Sequence, residues 1–455
     1  MNTILRACLF AFGIAGLLAW APASAAGADP ARPNVIVIMA DDLGAEGLAC
    51  YGSTIYTTPN LDRMAAEGQR FNNAYATPLC TPTRVMIMSG LYPNRTGFQA
   101  LISRDDDVRL PSEIKTFGHY FHEAGYRTAI AGKWQLGQFD QFPDQPVEHG
   151  FDKYCMWTWQ YAGKKSSRYY APQIYRDGKI FDGSASDFGP DYYSRFLLDF
   201  IDENKSRPFF IYYPMALVHS PFIIPPDLEK LAHSRYPDDL DKQTRACGHM
   251  ITYMDHLVGQ ILARLREHSL DRNTLVLYTG DNGTGRQITS KLPGMNLQGG
   301  KGTMTEAGSR VPMLAWWPGT IKPGVREQLF CLADVLPTIT SVAGIPLSRE
   351  LDGMDLSHIL LGKEGKDREQ VVINYGRGYF VRESRFRLNQ DGKLYDIPVT
   401  LDKERYSEKV TTDPGHDADR RRLQTALDQF MAIKSEISPK LKGGKKSKTS
   451  KEKQP

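Results

Sequence analysis

Short apolar runs alternate with amphipathic segments along most of this chain. Asn34–Met39, Thr128–Ala131, Phe209–Tyr213, Thr274–Thr279 and Pro312–Trp316 carry no charge, as expected of strands covered on both faces. Between them, Asn60–Glu67, Glu113–Ala124 and Tyr253–Glu267 have helical spacing. In the last, Met254, Leu257, Val258, Ile261, Leu262 and Leu265 share one face, which predicts a core-facing helix. Strands alternating with helices predict an α/β domain built on a mostly parallel central sheet between helices. After about Gly365 the pattern changes. Val371–Tyr375, Gly378–Arg382, Phe386–Leu388 and Lys393–Tyr395 are short strand-like runs, followed by the amphipathic Asp417–Ile433. They predict a small C-terminal α+β subdomain with an antiparallel sheet and a terminal helix.

The chain ends alter this picture. Arg6, the apolar stretch 7–20 and Ala23-Ser24-Ala25 have the layout of an export signal over residues 1–25. The apolar stretch is short for a bilayer crossing. The mature chain is therefore expected in the periplasm or outside the cell, with no transmembrane anchor. Residues 32–365 then form the large domain, 366–436 the subdomain, and 437–455 a disordered lysine-rich tail. The formal charge of +4 over 455 residues is carried by that tail, where seven lysines face one glutamate after position 439. The body of the chain is mildly acidic, which excludes a nucleic-acid partner read from net charge alone. Of six cysteines, Cys8 leaves with the signal. Cys50, Cys155, Cys247 and Cys331 either pair in one of three ways or stay as free thiols.

The chemistry sits where predicted strands end. Asp41-Asp42 follow one and Asp281-Asn282 another, about 240 residues later. Open α/β sheets gather ligands at the carboxyl ends of their strands, so both pairs belong to one rim. Four oxygen side chains without histidine suit a hard divalent cation, Ca²⁺ in preference to Mg²⁺. Cys80-Thr81-Pro82-Thr83-Arg84 stands about forty residues after the first pair. Gly132-Lys133-Trp134-Gln135-Leu136-Gly137, Val218-His219-Ser220-Pro221, Thr279-Gly280-Asp281-Asn282-Gly283, Gly300-Lys301-Gly302-Thr303 and Glu306-Ala307-Gly308-Ser309-Arg310-Val311-Pro312 follow in order.

In these segments the chain resembles the type I, formylglycine-dependent sulfatases of the alkaline phosphatase-like superfamily. The resemblance implies the fold already predicted and an enzyme that cleaves O-sulfate esters. It implies that Cys80 is oxidised to formylglycine by a formylglycine-generating or maturase enzyme, and that position 80 joins Asp41, Asp42, Asp281 and Asn282 at the metal. The hydrated aldehyde offers one hydroxyl to attack sulfur and a second whose deprotonation expels sulfate. Arg84 would hold that diol, Lys133 and Lys301 would neutralise sulfate, and His219 would protonate the leaving oxygen.

Gln135 departs from the pattern, because the family has a histidine there. An amide can orient the diol but cannot act as a base. Tyr154–Tyr170 interleaves Tyr154, Trp157, Trp159, Tyr161, Tyr169 and Tyr170 with Lys164, Lys165 and Arg168. This composition suits either a platform for a sulfated carbohydrate or a partly buried aromatic loop; an aryl sulfate is the alternative substrate. Two other functions compete: a phosphomonoester or phosphonate monoester hydrolase, and a sulfated-glycan-binding protein whose catalysis decayed after histidine was lost at 135.

Overall fold

The computed structural model describes residues 32–103, 108–231, 236–400, 403–433 and 435. The expected export signal and the lysine-rich tail lie outside them. Ten strands form the large sheet: β1 (Asn34–Ala40), β2 (Gln69–Tyr75), β3 (Arg127–Lys133), β4 (Lys153–Trp157), β5 (Gln173–Arg176), β6 (Lys179–Asp182), β7 (Phe209–Pro214), β8 (Thr274–Gly280), β9 (Met313–Trp316) and β10 (Gly324–Cys331). Their spatial order is β10-β2-β9-β8-β1-β7-β3-β4-β5-β6. The central block β8-β1-β7-β3-β4 is parallel throughout. β9 and β5 flank it and run the other way.

Every residue of β1, β7 and β8 is buried, as their uncharged sequences require. The longer helices are α1 (Pro59–Glu67), α2 (Cys80–Ser89), α3 (Phe117–Glu123), α4 (Gly189–Asn204), α5 (Lys242–Glu267), α6 (Val335–Val342) and α7 (Asp417–Met431). The predicted apolar face of α5 is in the core. Two helices start a turn or more from their predicted first residues, and local capping explains both. α3 starts at Phe117 rather than Glu113 because Thr116 and His119 form a reciprocal capping box. α5 starts at Lys242 rather than Tyr253 because the Asp241 side chain accepts from the amides of Gln243 and Thr244.

The C-terminal strands β11 (Val371–Tyr375), β12 (Gly378–Arg382), β13 (Phe386–Asn389), β14 (Leu394–Asp396) and β15 (Lys409–Val410) form an antiparallel sheet in chain order. α7 covers it with Leu423, Leu427 and Phe430, one face of a helix. A buried clasp joins this sheet to the large one. Glu306 accepts from Arg382 Nε at 3.2 Å, Arg405 Nε at 3.0 Å and the Tyr75 hydroxyl at 3.0 Å. Burial opposes its charge, but Arg382, Arg405 and Arg387 outweigh it and hold the carboxyl at about 2.

Among the described residues no helix is long and apolar enough to cross a membrane. Cys50, Cys155, Cys247 and Cys331 are free thiols.

Candidate active site

The parallel block delivers polar groups to its carboxyl rim from four directions. β1 ends at Asp41 and Asp42, β8 at Asp281 and Asn282, and β3 ends in Lys133. His219 follows β7 by five residues. Gly132 makes the β3 exit possible. At φ 117 its Cα packs where an added Cβ would stand 2.1 Å from the Pro214 carbonyl oxygen. The fifth contribution comes from α2, whose first residue is Cys80. One turn on, Arg84 lies on the same face.

These groups converge. Ligand atoms of Asp41, Asp42, Cys80 and Asp281 all lie within 4.8 Å of one another, and all four residues are buried. Cys80 Sγ is 3.5 Å from Asp41 Oδ1 and 3.7 Å from Asp42 Oδ1. Lys133 Nζ donates to both Asp41 oxygens at 2.8 Å. Lys301 Nζ donates to both Asp42 oxygens at 2.5 and 2.6 Å. Arg84 bonds Asp281 Oδ2 at 2.8 Å and the Lys133 carbonyl at 2.9 Å. His219 Nε2 stands 3.6 Å from Asp42 Oδ2, and its Nδ1 lies 2.6 Å from the Ser220 carbonyl oxygen.

Three carboxylates in one dry pocket do not share their charge evenly. Burial acts to raise Asp41, but Lys133, His219, Arg84 and Arg168 hold it well below the usual carboxylate range. Asp42 is lowered too, burial being overcome chiefly by His219 and Lys301. Asp281 goes the other way: burial and then the Asp41 charge push it up, beyond what Arg84 restores. Burial likewise raises the Cys80 thiol, which favours its protonated form. It lowers His219 to about 4 against the pull of Asp42 and Asp41, leaving the imidazole neutral.

The residues fit a hard divalent cation. Asn282 donates through Nδ2 to Asp42 Oδ1 at 2.9 Å, while its own Oδ1 is buried with no hydrogen-bond partner. An oxygen in that state, beside three carboxylates of which one resists ionising, lacks a positive partner.

Gln135 is less engaged than the others. It sits two residues beyond Lys133 at φ 54, and its Oε1 is buried without a partner among the described residues. The aromatic stretch resolves into the partly buried alternative: Tyr154, Trp157, Trp159 and Tyr169 are at most 5% exposed, while Tyr161 and Tyr170 are half-buried. What sequence reasoning missed is Arg168, which it counted only as one cation of that stretch. Its NH1 reaches Asp41 Oδ2 at 3.1 Å. No strand-end signal marked it, because it comes from an irregular loop before β5.

Comparison with known proteins agrees with this arrangement. The Sulfatase family model matches residues 33–345. N-acetylgalactosamine-6-sulfatase of Canis lupus familiaris is 34% identical over 391 residues, covering 80% of this chain and 72% of that protein. Arylsulfatase A of Homo sapiens is 34% identical over 380 residues, 78% of this chain and 72% of its own. The crystal structure of Ps i-CgsB superposes with a TM-score of 0.78 at 25% identity, over 90% of this chain and 94% of that one. That of PsFucS1 sulfatase from Pseudoalteromonas sp. gives 0.68 at 22% identity, over 88% and 90%.

Proposed function

We infer the mechanism from one premise: the chain belongs to the sulfatase family and is an enzyme that hydrolyses O-sulfate esters. The convergence of Asp41, Asp42, Cys80 and Asp281 within 4.8 Å, ringed by Lys133, Lys301 and Arg84, carries the detailed reading. Asp41, Asp42, Asp281 and Asn282, with position 80, would hold a divalent cation, Ca²⁺ before Mg²⁺, because a flexible all-protein oxygen site suits calcium. When bound, the cation would polarise a sulfate oxygen and acidify the nucleophile. A formylglycine made from Cys80 would supply, once hydrated, an attacking hydroxyl that a thiol does not carry.

The chain's own side chains do the rest. Arg84 has a buried Nε with no partner, a donor free for the hydrated side chain at position 80. Lys133 on Asp41 and Lys301 on Asp42, the two carboxylates nearest Cys80, neutralise the ester's sulfate. His219 is neutral in the free site; an arriving anion favours its protonated form, which then gives its proton to the leaving oxygen. Gln135 orients the diol without exchanging a proton.

The substrate class we propose is a sulfated carbohydrate. Its support is twofold. The relative N-acetylgalactosamine-6-sulfatase is named for a sulfated sugar. A cavity of about 630 Å³, lined by His219, Arg168 and Lys165, opens beside the rim and suits a polar, anionic leaving group. The apolar N-terminal segment supports export to the periplasm or beyond, where calcium is plentiful. Nothing in the site favours the phosphoester hydrolase or the inert glycan binder.

Peptide mass spectrometry of the exported protein tests the premise about position 80. Conversion of Cys80 lowers the peptide mass by about 18 Da. An unconverted thiol in a preparation that turns over p-nitrophenyl sulfate would overturn the formylglycine reading. Faster hydrolysis of p-nitrophenyl phosphate than of the sulfate would overturn the preference for sulfur.

A further inference from the structure

We propose that Arg168 is a specificity-determining residue that binds a second anionic group, a sulfate or carboxylate, on the sugar bearing the scissile ester. The inference rests on the carbohydrate-sulfatase reading above and deepens it.

Arg168 is the surplus cation of the site. Asp41 already receives both of its strong bonds from Lys133, with Arg84 at 3.4 Å. The contact from Arg168 is longer, at 3.1 Å, and comes from the side of the cavity. Lys133 and Arg84 are sealed at 1% exposure, whereas the Arg168 side chain keeps 11%. Its guanidinium lies 4.2 Å from the centre of the Trp157 ring. Stacking on an aromatic face leaves the edge of the fork free for a planar or tetrahedral anion.

The side on which it stands identifies what it reads. Arg168 and His219 line one cavity, and Cys80, Lys133 and Lys301 are not part of its wall. Arg168 therefore faces the leaving group and not the sulfur. Lys165 and Tyr169 share the same cavity wall with His219.

The loop is fixed where it must be. An added Cβ on Gly189 would fall 2.4 Å from the Arg168 carbonyl oxygen, so α4 begins hard against this backbone. The neighbouring Tyr169 hydroxyl shares its one proton between the carbonyls of Ala216 at 2.9 Å and His219 at 2.5 Å. A pinned backbone carrying a partly exposed cationic tip is a recognition device: exchanging Asp41 for a substrate anion needs only the side chain to turn, not the loop to move.

The test uses the full-length enzyme with conversion of Cys80 verified by mass. kcat/KM is measured on a monosulfated monosaccharide and on the same sugar bearing either an added sulfate or an added carboxylate. Wild type is expected to prefer at least one doubly anionic sugar by about 10-fold, the scale of one charge-assisted contact. In Arg168→Ala that ratio collapses to within about 2-fold, whatever the absolute rate. Arg168→Lys, which keeps charge but loses the fork, restores part of it. The added group with the larger wild-type ratio is the one Arg168 reads. A wild type without preference, or a folded Arg168→Ala that retains it, overturns the proposal. If no sugar is hydrolysed, calorimetric binding to Cys80→Ala, with and without Arg168→Ala, decides separately. An anion preference lost with Arg168 upholds this site while the catalytic reading falls, and equal binding of all the sugars overturns it.

Discussion

Two buried clusters of charge lie in this molecule, and they are balanced in opposite ways. At the clasp, Glu306 meets Arg382, Arg405 and Tyr75, so both carboxylate oxygens are bonded and its pKa falls to about 2. At the rim, three carboxylates crowd together, two lowered and one raised, and Asn282 Oδ1 and Arg84 Nε stay buried without partners. The first is complete as folded. The second leaves unmatched groups that the proposed cation and substrate would meet. Burial alone does not separate them, since both are dry. What separates them is whether each donor and acceptor is already matched.

If that distinction is right, removing rim residues should cost turnover and removing clasp residues should cost stability. Cys80→Ala should lose activity by roughly 10⁴-fold or more while its melting temperature stays within a few degrees of wild type, by steady-state assay and calorimetry. A large fall in melting temperature would place Cys80 on the structural side. His219→Ala should lose roughly 10²–10⁴-fold on a sugar sulfate and far less on p-nitrophenyl sulfate, whose leaving group needs little protonation. Equal losses on both would remove His219 from the acid role.

Glu306→Ala should unfold more easily by about 3–5 kcal/mol in denaturant, because it strands buried arginines. Turnover per folded molecule should change little. Acid should reproduce this loss in wild type. The Glu306 pKa is depressed on folding, so its stabilisation is full above about 4.5 and disappears as pH falls towards 2. Glu306→Gln should flatten that limb of a pH–stability curve. Calcium should stabilise wild type by about 2.7 kcal/mol at one hundred times its Kd, and Asp281→Ala much less. The same gain in both would dissolve the rim's claim to a cation. Smallest of all, Gln135→Ala should cost on the order of 10-fold, alike on both esters.

How far the sequence revealed each cluster follows from where its residues come from. Asp41-Asp42 and Asp281-Asn282 were legible because uncharged strands run straight into them, and adjacent parallel strands end on one rim. The first four C-terminal strands were legible because their turns are short; β15 follows a longer connection and was not predicted. Arg168 was hidden, since its loop follows no strand of the parallel block and its neighbouring rings suggested a sugar platform. Four of those rings, Tyr154, Trp157, Trp159 and Tyr169, are core, and Trp157 serves as a bed for the arginine. The clasp was hidden for another reason. Glu306 belongs to a recognisable motif beside Lys301, but its arginines come from the least distinctive part of the chain.

That clasp also sets an order of events during synthesis. Glu306 is made 99 residues before Arg405, its far partner. At about 5–20 residues per second, a ribosome needs roughly 5–20 s to bring the arginine out. Until Arg382 emerges, the carboxylate beside the loop carrying Lys301 has neither arginine of the clasp, and until Arg405 follows it has only one. The large sheet can collapse early, but this corner of its rim must stay wet until the C-terminal strands arrive. A ribosome that stops short of Arg405 leaves behind a chain holding every proposed catalytic residue and a corner that cannot close.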